Sequence, residues 1–201
     1  MSTPPKHTLT SAAGRAGASA PRPIVLYATM FGATELVAEQ VAAALSRELG
    51  TQVPCRDLAY LDLAVIAQHD LLVLGLSTWN IGQLPSDLEL RLPELAALDL
   101  HGKLLALFGT GDAVGYPDTY LDALEIVDDA LLTTGVERIG DWPVAGYSFE
   151  ASRAQRGDMF LGLGVDEDNE PELTEERVNA WVSKVLADYN ATEPQVRLLP
   201  A

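Results

Sequence analysis

Three runs of consecutive apolar residues constrain this chain more than any other feature: Ile24-Val25-Leu26-Tyr27-Ala28, the run that follows Asp70 in the strand read over 70–76, and the run that follows Lys103 in the strand read over 103–108. A strand that is apolar at every position, rather than at every second one, needs cover on both faces. Between the runs lie segments with helical spacing. Residues 34–49 place Leu36, Val37, Val41, Ala44, Leu45 and Leu49 on one side, and Gly50 closes the segment. Helices are also predicted over 86–97 and 118–133, the latter closed by Gly135. Thr174 opens a last helix that buries Val178, Trp181, Val182, Val185 and Leu186. A weaker strand is read at 51–56. A fifth starts at 136–139 and resumes at 160–165 after an excursion over 141–159. Strands alternating with helices imply an α/β fold with a five-stranded parallel sheet, helices on both faces and right-handed crossovers. Ligands of such sheets sit outside the carboxyl ends of the strands.

The 201 residues suit one domain, expected over 24–190, with tails at 1–23 and 191–201. The first tail is rich in Ser, Thr, Ala, Gly and Pro, and reads as disordered. It contains three bases and no acid, so organelle import through it is a second reading. The body therefore holds all 29 acids against 10 bases, within a net charge of −16. Such a surface repels nucleic acid and anionic membranes, and steers the chain toward basic protein partners. No apolar run approaches the ~20 residues of a membrane span. The single cysteine, Cys55, rules out an internal disulfide and a multi-cysteine metal site. His7, His69 and His101 are scattered, and all three are expected at the surface. A cytoplasmic monomer is the expected state.

Three strand-to-helix loops carry the candidate chemistry. The first is Thr29, Met30, Phe31, Gly32, Ala33 and Thr34, at a helix N-terminus where free N–H groups favour a phosphate. It contains neither GK[ST] nor G-x-G-x-x-G. The second, Ser77, Thr78, Trp79, Asn80, Ile81 and Gly82, sets an indole in a polar turn, suited to stacking on a flat ligand. The third runs from Gly109, Thr110, Gly111 and Asp112 to Tyr116 and adds a second aromatic. None of the three contains Lys or Arg. A triphosphate site normally needs a lysine or a metal, whereas backbone N–H groups and hydroxyls can hold a monophosphate. That favours FMN over ATP or NAD(P).

These motifs, in this order, closely resemble the long-chain flavodoxins, FMN proteins that shuttle electrons in bacteria and algae. The resemblance covers nearly all of 24–189. It includes Asp122-Ala123-Leu124, Gly146-Tyr147-Ser148-Phe149-Glu150-Ala151-Ser152 and Asp166-Glu167-Asp168-Asn169. It implies a flavodoxin-like three-layer α/β/α sandwich whose last strand is split by the excursion. By the same resemblance, residues 29–34 bind the phosphate, and Trp79 and Tyr116 cover opposite faces of the ring. Backbone groups of Asn80, Gly82, Gly111 and Asp112 meet its edges, Asp168 lies near it, and the Asn80–Ile81 peptide reorients with redox state. The family usually carries Thr or Ser at position 31 and Asn at 33, where this chain has Phe31 and Ala33. Two hydrogen bonds of about 0.5–1.5 kcal/mol each are thereby lost.

The implied function is low-potential one-electron transfer between a basic NADPH-dependent flavodoxin/ferredoxin reductase and low-potential acceptors, in transient, salt-sensitive complexes. Two alternatives stand beside it. One is a flavodoxin-like NAD(P)H:quinone oxidoreductase. The other is a flavodoxin-fold domain with weakened FMN binding.

Overall fold

The computed structural model describes residues 20–192. The expectations for most of the N-terminal tail, its import reading included, and for nearly all of the C-terminal tail lie outside the described residues. The chain alternates as the apolar runs require: β1 (Pro23–Ala28), α1 (Ala33–Leu49), β2 (Cys55–Asp57), β3 (Leu71–Ser77), α2 (Ser86–Ala96), β4 (Leu104–Thr110), α3 (Ala123–Leu132) and β5 (Glu137–Ile139). Three two-residue strands follow, β6 (Trp142–Pro143), β7 (Gln155–Arg156) and β8 (Met159–Phe160), then β9 (Gly162–Val165) and α4 (Thr174–Ala191).

The main sheet runs β2-β1-β3-β4, and β4 then pairs with both β5 and β9, every pair parallel. Strand order reverses between β1 and β3, so a ligand crevice opens beyond their carboxyl ends. The period of two divides the core cleanly. Ile24, Leu26, Leu72, Leu74, Leu105 and Leu107 pack beneath α2 and α3. Val25, Tyr27, Val73, Leu104 and Phe108 pack beneath α1 and α4. The result is the three-layer α/β/α sandwich.

The fifth strand is split, as the sequence suggests, but it resumes later than expected. Phe160 belongs to β8 of the small antiparallel sheet β6-β8-β7, and the main ladder is rejoined at Gly162. A Cβ at 162 would stand 1.9 Å from the Leu107 carbonyl oxygen, so only glycine can meet β4 there. Two other elements are shorter than the sequence predicts. The strand expected over 51–56 is Cys55–Asp57. The helix expected from 118 starts at Ala123, after a single 3-10 turn at Pro117–Thr119 and a Leu121 with φ +62°. The first strand begins at Pro23, one residue before the apolar run. Pro23 pairs with Leu71, and the Arg22 backbone N–H donates to Asp70 at 2.8 Å.

Candidate cofactor cleft

The first loop delivers β1 into α1 through Gly32, whose φ of +93° turns the chain at the helix start. No side chain caps α1, so the N–H groups of its first turn are left for another acceptor. The two threonines are partly committed. Thr29 Oγ1 accepts the Gly32 N–H at 3.0 Å, and the buried hydroxyls of Thr34 and Thr110 lie 2.9 Å apart. Phe31 is 85% exposed, which leaves its ring at the cleft rather than in the core.

The second loop is a tight turn closed by two backbone bonds, Trp79 N–H to the Gln83 carbonyl at 2.8 Å and the reverse at 2.7 Å. Asn80 has φ +44°, and the Asn80–Ile81 peptide sits at the tip between those bonds. Asn tolerates this left-handed region better than most residues. Trp79 Nε1 donates to Ser77 Oγ at 3.0 Å, and the half-buried indole meets the Phe31 ring edge-on, centroids 5.0 Å apart at 67°. Such a pair is worth about 0.5–1.5 kcal/mol beyond the area it buries.

The third loop is organised by carboxylates. Asp112 Oδ1 accepts N–H bonds from Gly115 at 2.6 Å and Val114 at 3.1 Å, and the side chain of Asn169 at 2.9 Å. The Gly115 N–H is the main influence holding the Asp112 carboxyl below the usual range. Asp166 accepts the Ala113 N–H at 2.9 Å from the strap after β9, fixing that strap to the loop. Tyr116 is 53% exposed.

These loops enclose one cleft of about 270 Å³. Of the residues expected from sequence, Thr29, Met30, Phe31, Ala33, Thr34, Ser77, Thr78, Trp79, Asn80, Thr110, Gly111, Asp112, Tyr116 and Asp168 line it. Gly32, Ile81, Gly82 and Gly109 do not. Gly32 turns the chain behind the wall. Ile81 and Gly82 line a separate groove against α2 and α3, and Gly109 lies inside β4 against Leu121 and Leu124. Four further residues complete the lining: Thr119, Tyr120, Leu121 and Glu167. The first three lie in the turn that the sequence reading assigned to a helix. Pro117, which opens it as a short turn, was the available signal. Tyr120 is 1% exposed, its hydroxyl has no hydrogen-bond partner among the described residues, and burial raises its pKa.

The donor set fits a flat ring carrying a monophosphate. A capless helix start faces the cleft, three aromatics (Phe31, Trp79 and Tyr116) stand outside the core, and no Lys or Arg lines the walls. Asp112, Glu167 and Asp168 make the surroundings acidic. Among the described residues no His, Cys, Asp or Glu cluster could hold a metal ion.

Comparison with known proteins agrees with this arrangement. The flavodoxin family model matches residues 25–181. Flavodoxin of Synechococcus elongatus is 37% identical over 167 residues, spanning 82% of this chain and 96% of the relative. Flavodoxin of Picosynechococcus is 40% identical over 162 residues, 80% of this chain and 94% of the relative. The solved structure of Fusobacterium nucleatum flavodoxin bound to flavin mononucleotide superposes with a TM-score of 0.76 at 21% identity, covering 83% of this chain and 97% of that one. At that identity the likeness is one of fold. With a strand order, a cleft position and a family match over most of its length in accord, the chain belongs to the flavodoxin family.

Proposed function

We propose that this cleft binds one FMN and that the chain carries single electrons at low potential between redox proteins. The observation that carries the reading is the pairing of Trp79 and Tyr116 in one cleft with a cation-free helix N-terminus. The first-turn N–H groups of α1 would hold the phosphate, with the free hydroxyl proton of Thr29 beside them. Trp79 and Tyr116 would cover the ring and exclude water. The flavin supplies the redox chemistry, since no side chain here can.

The chain's own part is to set the electrostatics. A carboxylate about 12 Å from an added electron, at an effective dielectric of about 40, costs about 0.7 kcal/mol. For one electron that is about 30 mV. Three carboxylates at such a distance, as Asp112, Glu167 and Asp168 would supply, would lower the potential by on the order of 100 mV. Membership of the flavodoxin family favours a carrier over a quinone oxidoreductase. Redox proteins are the partners. A basic reductase and transient, salt-sensitive contact by a monomer are the finer reading, supported by the charge of −16. Among the described residues no helix is long and apolar enough to cross a membrane. A cytoplasmic setting fits the lone Cys55.

The test is optical. The purified chain, titrated with FMN, should gain a structured flavin spectrum, quench flavin fluorescence at one equivalent, and leave NAD(P)H unoxidised with quinone present. A chain that ignores FMN, or that turns over NAD(P)H, contradicts the proposal.

A further inference from the structure

The phosphate end and the ring end of this cleft are unequally equipped. At the phosphate end, positions 31 and 33 hold Phe and Ala and offer no polar side-chain atom. Thr29 Oγ1 accepts from Gly32 and keeps one hydroxyl proton to donate, and the Thr34 and Thr110 hydroxyls bond each other, which leaves one proton between them. No Lys or Arg lines the cleft, and three carboxylates do. Backbone N–H groups of α1 are thus the principal grip on an anion. At the ring end, Phe31 lies edge-on to Trp79 at 5.0 Å although 85% of its surface faces solvent. It limits rotation of the indole, which is otherwise held by the Ser77 bond.

We propose that Phe31 is a positioning residue that shifts flavin recognition from the phosphate to the ring. It braces Trp79 for stacking while occupying the place of a phosphate-holding hydroxyl. The chain therefore binds riboflavin, the same ring without phosphate, with only a modest loss relative to FMN. This rests on the flavin reading above.

The experiment measures dissociation constants for FMN and for riboflavin, by flavin fluorescence quenching, in the native chain and in Phe31→Thr. A second variant, Phe31→Leu, keeps apolar bulk but supplies neither a π edge nor a hydroxyl. One restored hydrogen bond and one lost ring pair are each worth about threefold. Phe31→Thr should leave FMN affinity about unchanged, because the two effects cancel, and weaken riboflavin about threefold, raising their ratio about threefold, or about 0.65 kcal/mol. Phe31→Leu should weaken both about threefold and leave the ratio unchanged. A purely structural role would move both ligands in the same direction in both variants. An unchanged ratio in Phe31→Thr overturns the inference.

An independent readout needs no flavin. With 5-fluorotryptophan incorporated, the Trp79 fluorine resonance of the free chain should shift and change width in both variants, while those of Trp142 and Trp181 stay in place. A Trp79 resonance unaffected by either substitution overturns the brace. If the native chain binds neither flavin, the function itself is refuted, a result separate from the variant ratio.

Discussion

At position 82 a side chain has nowhere to go. The φ of +78° is one that L residues avoid, and a Cβ would stand 2.8 Å from Asp122 Oδ2. Asp122 cannot yield freely, because it is buried and accepts the Arg153 N–H at 2.7 Å. Gly82→Ala should therefore cost about 1–3 kcal/mol in urea denaturation and loosen the Trp79 turn, seen as weaker FMN binding. Gly82 was legible as a turn glycine, and Asn80 as the residue suited to its positive φ, because both signals are local. The Phe31–Trp79 contact was not. The sequence shows at 31 only the lack of a hydroxyl, and the two rings are separated by the length of α1, β2 and β3. Gly109, expected in the third loop, has a different place for a related reason. β4 continues to Thr110, so that glycine is part of the sheet rather than of the loop.

One ion pair joins α3 to β5 and shows how elements depend on each other. Asp128 and Arg138 lie 2.8 Å apart with side chains 5% and 19% exposed, and Arg138 also reaches Asp141. Burial raises the Asp128 pKa, and the Arg138 charge pulls it partly back. Arg138→Met should destabilise the fold by about 3–5 kcal/mol at neutral pH, because it strands a buried charge. A carboxyl whose folded pKa lies above its unfolded one favours the fold at low pH, and that support is lost as pH rises. The urea-measured penalty should accordingly be smaller at pH 5 than at pH 7.5, and Asp128→Leu added to Arg138→Met should recover most of it. At this scale the strands that are apolar throughout were readable, since burial on both faces leaves no polar position. The start of α3 was not. The sequence reading opens the helix at Asp118, whereas Pro117–Thr119 form a 3-10 turn and the Asp122 carboxylate caps no helix N–H but accepts the distant Arg153 N–H.

Across the molecule, 29 acids against 13 bases make approach to a partner an electrostatic event. With a basic reductase, the second-order rate of electron transfer should fall about tenfold or more between roughly 20 and 200 mM salt, as stopped-flow mixing would record. A flat salt profile would mean that charge does not guide the encounter. The overall architecture was legible because the alternation of buried strands and amphipathic segments admits few topologies. Where the ladder is interrupted was legible only approximately, since Phe160 and Leu161 are as apolar as the strand they precede. That interruption has a consequence of its own. Ile139 pairs with Ala106 and Gly162 with Leu107, the very next rung. The backbone on either side of the excursion is thus aligned as though it had never left. Residues 140–161 behave as an appendix hung on a seam, and a shortened chain joining 139 to 162 would keep every rung of the sheet while losing only what the appendix touches.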